Sequence, residues 1–269
     1  MVRFKVLGSL EITDHGRVCT LTAPKVRQVL ALLLLRTGRL VQNESVVREL
    51  WGDAPPKSAS TTVQTYIYQL RKALGRERSG SEPLSTQPCG YQMRIDPAEL
   101  DACLFERYVA EGRRMLDGGR AEDASQRLRQ ALDLWTGPPL ADVTQGPLLS
   151  AHAVHLQEQR IRALELRISA DVQLDRGRDL IGELRSLVTR YPLHEWFHGQ
   201  LIEALTRAGR RAEALQAYHN LRIRLDTELG LEPSPELQRL HYEVLVPAER
   251  ARRSQHQRPV AMANGSSRG

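Results

Sequence analysis

The stretch "SASTTVQTYIYQLRKALG", from Ser58 to Gly75, reads as an amphipathic α-helix with two very different sides. Its apolar residues recur at intervals of three and four, which places on one narrow stripe Val63, Ile67, Leu70 and Leu74. The opposite side carries hydroxyls, amides, a phenol and a lysine. A helix face that only meets solvent usually carries glutamate–lysine pairs, yet this stretch contains no acidic residue. The pattern predicts a helix that packs on one side and binds a polyanion on the other.

The chemistry of the polar side fits nucleic acid in particular. Hydroxyl, amide and phenol groups can bond both phosphate oxygens and base edges. The amino end of a helix adds unpaired N–H groups and a positive dipole, which favour phosphate. We therefore interpret this stretch as the helix that reads double-stranded DNA, and an ordinary solvated helix is the alternative.

The segments on either side of this reading helix complete a winged helix-turn-helix pattern. Asn43 can cap a short helix over 44–51, whose apolar face is Val46, Val47 and Leu50. After the reading helix and a polar turn, "LSTQPCGYQMRI" predicts a hairpin over 84–95 that turns at Pro88-Cys89-Gly90. A short helix followed by a reading helix is the arrangement that enters the major groove, and the hairpin would be the wing beside it.

Three short strands and one long helix are predicted before this motif. Residues 2–12 alternate like a strand pair with a turn at Gly8-Ser9, and "RVCTLT" from Arg17 predicts a third strand. Pro24 suits the first turn of a leucine-rich helix that Gly38 would end. The predicted order is three strands, three helices and a hairpin.

From Pro97 to about Leu245 the sequence is helical throughout, with candidate helices over 98–117, 120–135, 148–176, 178–190, 194–208, 211–228 and 234–245. Three of them follow a Gly-Arg pair, in "GRAEDASQ", "RGRDLIGE" and "GRRAEALQ". Gly177 and Gly209 are 32 residues apart, close to the tetratricopeptide period of about 34. We predict a repeat domain of stacked helix pairs, although any single match also fits an ordinary amphipathic helix.

The balance of basic and acidic residues differs along the chain. Residues 1–97 carry 14 Lys and Arg against 8 Asp and Glu, residues 98–247 carry 19 against 23, and residues 248–269 carry 5 against 1. A basic N-terminal region followed by an acidic helical region indicates that the N-terminal region has a polyanion partner. The tail lacks periodic apolar residues, which predicts disorder.

Motifs of both halves resemble one family of bacterial regulators. In the first half they are "LTAPKVRQVLALLLL", "ESVVRELWG", "TTVQTYIYQLRKALG" and "GYQMRI", which look like an OmpR-type winged helix. In the second half they are "LDACLFERYVAEGR", "ALDLWTGPPLADV", "LELRISADVQL", "ELRSLVTRYPLHEWFHGQLIEAL" and "AGRRAEALQAYHNLRIRLDTELGLEPSPELQRL". Over about residues 2–245 the chain resembles the Streptomyces antibiotic regulatory proteins (SARPs), whose second half is the bacterial transcriptional activator domain.

The resemblance implies a transcriptional activator of a secondary-metabolite gene cluster. Family members bind direct repeats in promoters as head-to-tail protomers, and they contact RNA polymerase, including its sigma factor. The expected fold is mainly α, with an α+β winged helix-turn-helix at 1–97, an all-α tetratricopeptide-like domain at 98–247 and a basic tail at 248–269. Because larger relatives add an ATPase module and further repeats, the chain looks like a small member of the family.

The resemblance also implies roles for single residues. On the reading helix we expect DNA contacts from Ser58, Thr61, Thr62, Thr65, Tyr68, Gln69 and Lys72, with Thr65 and Tyr68 in the groove. Phosphate contacts are expected from Lys25, Lys57, Arg71 and Lys72. Tyr91 of the wing either bonds a phosphate or packs in the hairpin core, and Trp51 fits a core or hinge position better than a partner contact. Family wings often place an arginine before the Gly-Tyr pair, where this chain has Gln87, so we expect Gln87 to contact DNA as a neutral side chain in place of a charged minor-groove probe.

The sequence lacks the motifs that several other classes of function require. The sequence contains no Walker A loop, no GxSxG and no HExxH motif, so we expect no enzyme, no cofactor and no catalytic residue. Cys19, Cys89 and Cys103 lack metal spacing, and the histidines lack further ligands, so we expect no metal. With no apolar span or signal peptide, we expect a cytoplasmic, nucleoid-associated protein. A helical-repeat adaptor that binds protein or a membrane surface is the rival reading.

Overall fold

The structure is a computed structural model that describes residues 2–14, 16–19, 21–74 and 83–246. It is mainly α-helical with a small strand-containing N-terminal part, which confirms the predicted fold class. Two compact units divide the chain, residues 1–171 and residues 172–269. The predicted helix end at Gly75, the polar turn after it and the basic tail at 248–269 lie outside the described residues.

The chain begins with an antiparallel sheet of β1 (Val2–Lys5), β2 (Glu11–Asp14) and β3 (Arg17–Val18), in that order. Its alternation is that of a half-buried strand, since Val2 and Phe4 are buried while Arg3 and Lys5 are exposed. The third strand covers only two residues, Arg17 and Val18, of the six that the sequence predicted.

Three helices follow: α1 (Pro24–Leu35), α2 (Asn43–Trp51) and α3 (Ala59–Leu74). Pro24 occupies the first turn of α1, as predicted, and the helix is buried almost all round because its side chains are the centre of the core. The predicted end at Gly38 is wrong, because α1 stops at Leu35. Gly38 instead has a φ of +76° and donates its N–H to the carbonyl of Met93 in the wing.

The wing is a three-stranded sheet, where the sequence predicted a two-stranded hairpin. The missed strand is β4 (Leu40–Gln42), which pairs with β6 (Gly90–Met93), and β6 pairs with β5 (Leu84–Gln87). A β-carbon on Gly90 would lie 2.0 Å from the carbonyl oxygen of Val41, so only glycine lets β4 approach. Asn43 is the first residue of α2 and not its cap, and its N–H donates to the carbonyl of Cys89.

The first unit continues through α4 (Asp101–Asp117), α5 (Ala121–Leu132) and α6 (Pro147–Gln173), of which α6 ends two residues beyond the unit. Asp101, at the start of α4, accepts the N–H groups of Val6 and Leu7 at 2.9 and 3.0 Å. Burial raises the pKa of the Asp101 carboxyl to about 6, and these N–H groups oppose the rise. The N-terminal sheet is thereby bonded to the start of the helical region.

Glu49 of α2, which is only 2% exposed, also connects the winged-helix part of the chain to the helical region that follows it. Its carboxylate accepts the N–H groups of Gly146, Leu148 and Leu149 at 2.6, 2.8 and 3.2 Å, and so caps the amino end of α6. A β-carbon on Gly146 would lie 2.2 Å from the Glu49 carbonyl oxygen. The helix-turn-helix and α6 are therefore in direct contact.

The second unit is a set of helices, α7 (Ile181–Arg190), α8 (Glu195–Arg207), α9 (Arg211–Leu229) and α10 (Pro235–Leu245). The predicted repeat is visible in two turns. Gly119 ends α4 and Gly209 ends α8 with φ of +75° and +74°, and in each the next N–H bonds a carbonyl five residues back. The third Gly-Arg pair, at Gly177, forms no such turn, because the positive φ there belongs to Asp175.

Candidate nucleic-acid interface

Helix α3 presents its predicted polar side to solvent. Its inner stripe is buried as the period predicted, with Ala59 added to Val63, Ile67, Leu70 and Leu74. The residues that point outward are exposed, among them Thr61, Thr65, Tyr68, Gln69 and Lys72, and Tyr68 leaves 64% of its surface free. Ser58 and Lys57, just before the helix, are exposed as well, while Thr62 is half-buried. Most of the predicted reading residues thus share one accessible surface.

The threonine hydroxyls on this surface are already oriented. Thr62 donates its Oγ1 proton to the carbonyl of Ser58 at 2.9 Å, and Thr65 donates to the carbonyl of Thr61 at 3.2 Å. Such bonds to the preceding turn fix the rotamer. Each hydroxyl has therefore already donated its proton within the helix and can act toward an outside group only as an acceptor.

No acidic side chain interrupts the surface of α3. Between Lys57 and Leu74 the sequence contains neither Asp nor Glu, and Glu49 of the neighbouring helix is buried under α6. Gln64, which the sequence analysis did not select, is also exposed on α3. Gln64 lies at the edge of the polar side, next to the apolar stripe in the helical projection. The helical period alone therefore does not assign it to the outer face.

Two of the four predicted phosphate-binding side chains have partners within the protein. Lys25 is half-buried, donates to the carbonyl of Leu50 and lies 5.8 Å from the ring centre of Trp51. Arg71 donates to the carbonyl of Leu84 and to the hydroxyl of Thr86. Lys57 and Lys72 are exposed. The phosphate contacts of all four stay predictions.

The wing residues differ in accessibility. Tyr91 is 7% exposed and belongs to the hydrophobic core, which is the second of the two roles foreseen for it. Burial raises the pKa of its phenol, and the positive charge of Arg71 opposes the rise. Gln87 is half-buried and donates its amide to Ser85 at 3.3 Å. Trp51, at the end of α2, packs against the core as a half-buried side chain.

A groove of about 760 Å³ in the second unit is the other concave surface of note. It lies between α7, α8 and α9, and its charged side chains pair with each other, Arg185 with Glu213 and Arg224 with Glu228. The groove therefore offers no unbalanced charge to a polyanion.

Among the described residues, no helix is both long and apolar enough to cross a membrane. In the same ranges, no group of three or more His, Cys, Asp or Glu side chains could hold a metal ion.

Comparison with known proteins places both halves of the chain. The family described as bacterial transcriptional activator domain matches residues 100–245, and the family described as transcriptional regulatory protein, C terminal, matches residues 16–93. The solved structure of Mycobacterium tuberculosis EmbR in complex with a low affinity phosphopeptide superposes with a TM-score of 0.85 at 30% identity, covering 94% of this chain and 68% of that one.

Curated relatives are regulatory proteins. Regulatory protein DnrI of Streptomyces peucetius is 41% identical over 91% of this chain and 92% of its own length. Transcriptional regulator RedD of Streptomyces coelicolor is 36% identical over 70% of its length, whereas this chain spans only 24% of regulatory protein AfsR of Streptomyces griseus. With both family models matched in order and DnrI aligned over nearly its whole length, the chain belongs to the Streptomyces antibiotic regulatory proteins, transcriptional activators that join an OmpR-type winged helix to a bacterial transcriptional activator domain.

Proposed function

We propose that this protein binds tandem direct repeats in promoters and recruits RNA polymerase, through a contact that includes its sigma factor, to a secondary-metabolite gene cluster. The observation that carries the DNA-binding part is the exposed, acid-free side of α3. The polymerase contact and the kind of gene cluster rest on family membership.

In this proposal α3 lies in the major groove and α2 crosses above it. Thr61, Thr65, Tyr68 and Gln69 face base edges and sugar–phosphate, because they are the exposed side chains of the outer face. Ser58 and Thr62 lie near the amino end of α3, where N–H groups without helical partners favour a phosphate. Gln64 joins the reading surface as an amide that can bond adenine.

Lys57 and Lys72 bind phosphates on the two sides of the groove. They lie just before α3 and within its last turn, and both are exposed. Lys25 makes a weaker contribution, because its ammonium already bonds the carbonyl that ends α2. Gln87 gives the wing a neutral contact, so affinity depends mainly on α3.

Neighbouring protomers bind direct repeats in the same orientation. Two copies related by translation along DNA meet through different surfaces, which makes the contact between them heterologous and allows a free monomer. Repeats spaced by one helical turn would place successive α3 helices on the same side of the duplex.

The salt dependence of binding separates this function from the adaptor alternative. Each phosphate contact makes the slope of log K against log salt steeper by about 0.9 on duplex DNA. Binding of the purified protein to a promoter duplex, measured by fluorescence anisotropy from low to physiological salt, should show a steep slope. An adaptor for a neutral protein partner would show almost none.

The substitution Lys72→Ala tests one predicted phosphate contact. We expect it to weaken binding to all duplex sequences alike and to reduce the salt slope by about one. Lys5→Ala is the matched control, because Lys5 is an exposed lysine of the N-terminal sheet that pairs with Glu11, and it should leave the slope unchanged. A change of base preference in Lys72→Ala would show that Lys72 does not act through phosphate.

A further inference from the structure

The side chain of Arg71 joins the reading helix to the wing. It leaves the last turn of α3 and reaches β5, where Nε and Nη2 donate to the carbonyl of Leu84 at 3.3 and 3.2 Å. The same Nη2 donates to the hydroxyl of Thr86 at 2.8 Å. One guanidinium thus bonds two residues of one strand.

The strand that Arg71 contacts is also held by its pairing with β6 and by the buried side chain of Leu84. β5 is the outer strand of the wing sheet, paired only with β6 among the described strands. Leu84 is buried, Ser85 and Gln87 are half-buried and Thr86 is exposed. Arg71 adds bonds from α3 to two acceptors on this strand, the carbonyl of Leu84 and the hydroxyl of Thr86, and so connects the outer strand directly to the reading helix.

The chemistry of these bonds requires arginine. A guanidinium presents its donors in a rigid planar fork, which can bond a carbonyl and a hydroxyl at once. A lysine in the same place keeps the charge but presents one ammonium on a flexible stem. The neighbouring Lys72 is exposed and has no such fork, so the two adjacent cations of α3 differ in environment.

We propose that Arg71 is a positioning residue, which fixes the wing against the reading helix and acts on DNA through the wing, and that it does not bind phosphate. This inference rests on the proposed DNA binding and replaces the phosphate contact that the sequence predicted. Its consequence is that this side chain helps to set the spacing between the groove contacts of α3 and the backbone contacts of the wing.

The test compares five variants: Arg71→Lys, Arg71→Met, Thr86→Val, the double variant Arg71→Lys/Thr86→Val, and Lys72→Ala. The first readout needs no DNA. Amide hydrogen exchange of the free protein should become about fivefold faster in β5 and β6 for Arg71→Lys and for Thr86→Val, the factor that one lost hydrogen bond implies. Lys72→Ala should exchange like the wild type. The double variant should exchange little faster than Arg71→Lys, because both substitutions remove a shared bond.

The second readout is binding to a promoter duplex. Arg71→Lys should bind about three- to tenfold more weakly, lose hydroxyl-radical protection at the flank covered by the wing and keep the wild-type salt slope. Lys72→Ala should reduce the slope by about one and keep that protection.

Each contrary result has its own meaning. If Arg71→Lys keeps wild-type exchange and affinity, charge alone is sufficient and the positioning role is wrong. If Arg71→Met lowers the salt slope as Lys72→Ala does, Arg71 binds phosphate. If the wild type binds no duplex in a salt-dependent way, the proposed function fails, while hydrogen exchange still decides whether Arg71 positions the wing.

Discussion

Thr65 combines a hydroxyl and a methyl group on the outer face of α3. Its hydroxyl proton is bonded to the carbonyl of Thr61, which leaves the methyl group to meet the methyl of a thymine. We expect Thr65→Ala to lower discrimination between the preferred site and single-base variants by about 1–3 kcal/mol. The measurement is competition binding against duplexes that differ by one base pair.

Two matched variants separate the two groups of Thr65. Thr65→Val keeps the methyl and should retain most of the discrimination, whereas Thr65→Ser keeps the hydroxyl and should lose it. The reverse order would assign the contact to the hydroxyl. Equal discrimination in all variants would remove Thr65 from base readout.

Asp171 makes the stability of the first unit depend on pH. Burial alone would raise the pKa of its carboxyl, but bonds from Ser125, Arg167 and Arg129 outweigh burial and hold the pKa below its ordinary value. A carboxyl with a lowered folded-state pKa stabilises the fold above its unfolded pKa of about 3.9 and loses that contribution as the pH falls.

The free energy of unfolding should therefore decline below about pH 4, as denaturant titrations at a series of pH values would show. Asp171→Asn should lack this part of the decline. Asp171→Ala should cost about 3–5 kcal/mol at neutral pH, because it removes the carboxylate that forms an ion pair with the buried Arg167. A wild-type decline that persists unchanged in Asp171→Asn would assign it to other carboxyls.

Among the elements, those with a repeated apolar period could be predicted from the sequence. The apolar stripe of α3 and the helices of the second half were found within a few residues, because each repeats over three or more turns. Strand β4 was missed because three residues, of which only Val41 is buried, give no alternation to recognise. The end of α1 was misplaced because Gly38 serves the contact with Met93, which is distant in sequence.

The candidate site was predictable in part for the same reason. Exposure of Thr61, Thr65 and Tyr68 follows from the helical period. The partners of Arg71 and Lys25 depend on tertiary contacts with β5 and with the end of α2. No local sequence pattern predicts such contacts. A Lys or Arg that bonds within the protein therefore cannot be told by sequence from one that binds phosphate.

The cap of α6 by Glu49 is the contact between elements that we expect to matter most for stability. Glu49→Ala would leave three N–H groups at the start of α6 without their acceptor, and one buried donor left unpaired costs about 1–3 kcal/mol. We expect at least that loss in the free energy of unfolding. Glu44→Ala is the control, since Glu44 is an exposed acid of the same helix. Equal stability of the two variants would contradict the cap.

At the scale of the whole molecule, we propose that the winged helix needs α4 to α6. The sequence divides the chain at residue 97, yet the acceptors of Val6 and Leu7 and the groups that Glu49 binds all lie beyond it. A fragment of residues 1–97 should unfold at a lower temperature than a fragment of residues 1–173. Equal melting temperatures would show that the winged helix is independent.

We propose that α3 binds repeated sites in a sequence-specific manner. The most direct measurement is to incubate the purified protein with sheared genomic DNA at physiological salt and to sequence the fragments that it retains. We predict enrichment of tandem direct repeats spaced by one helical turn, upstream of promoters. Retention of fragments that share no motif would contradict the claim, because the basic surface would then bind any polyanion.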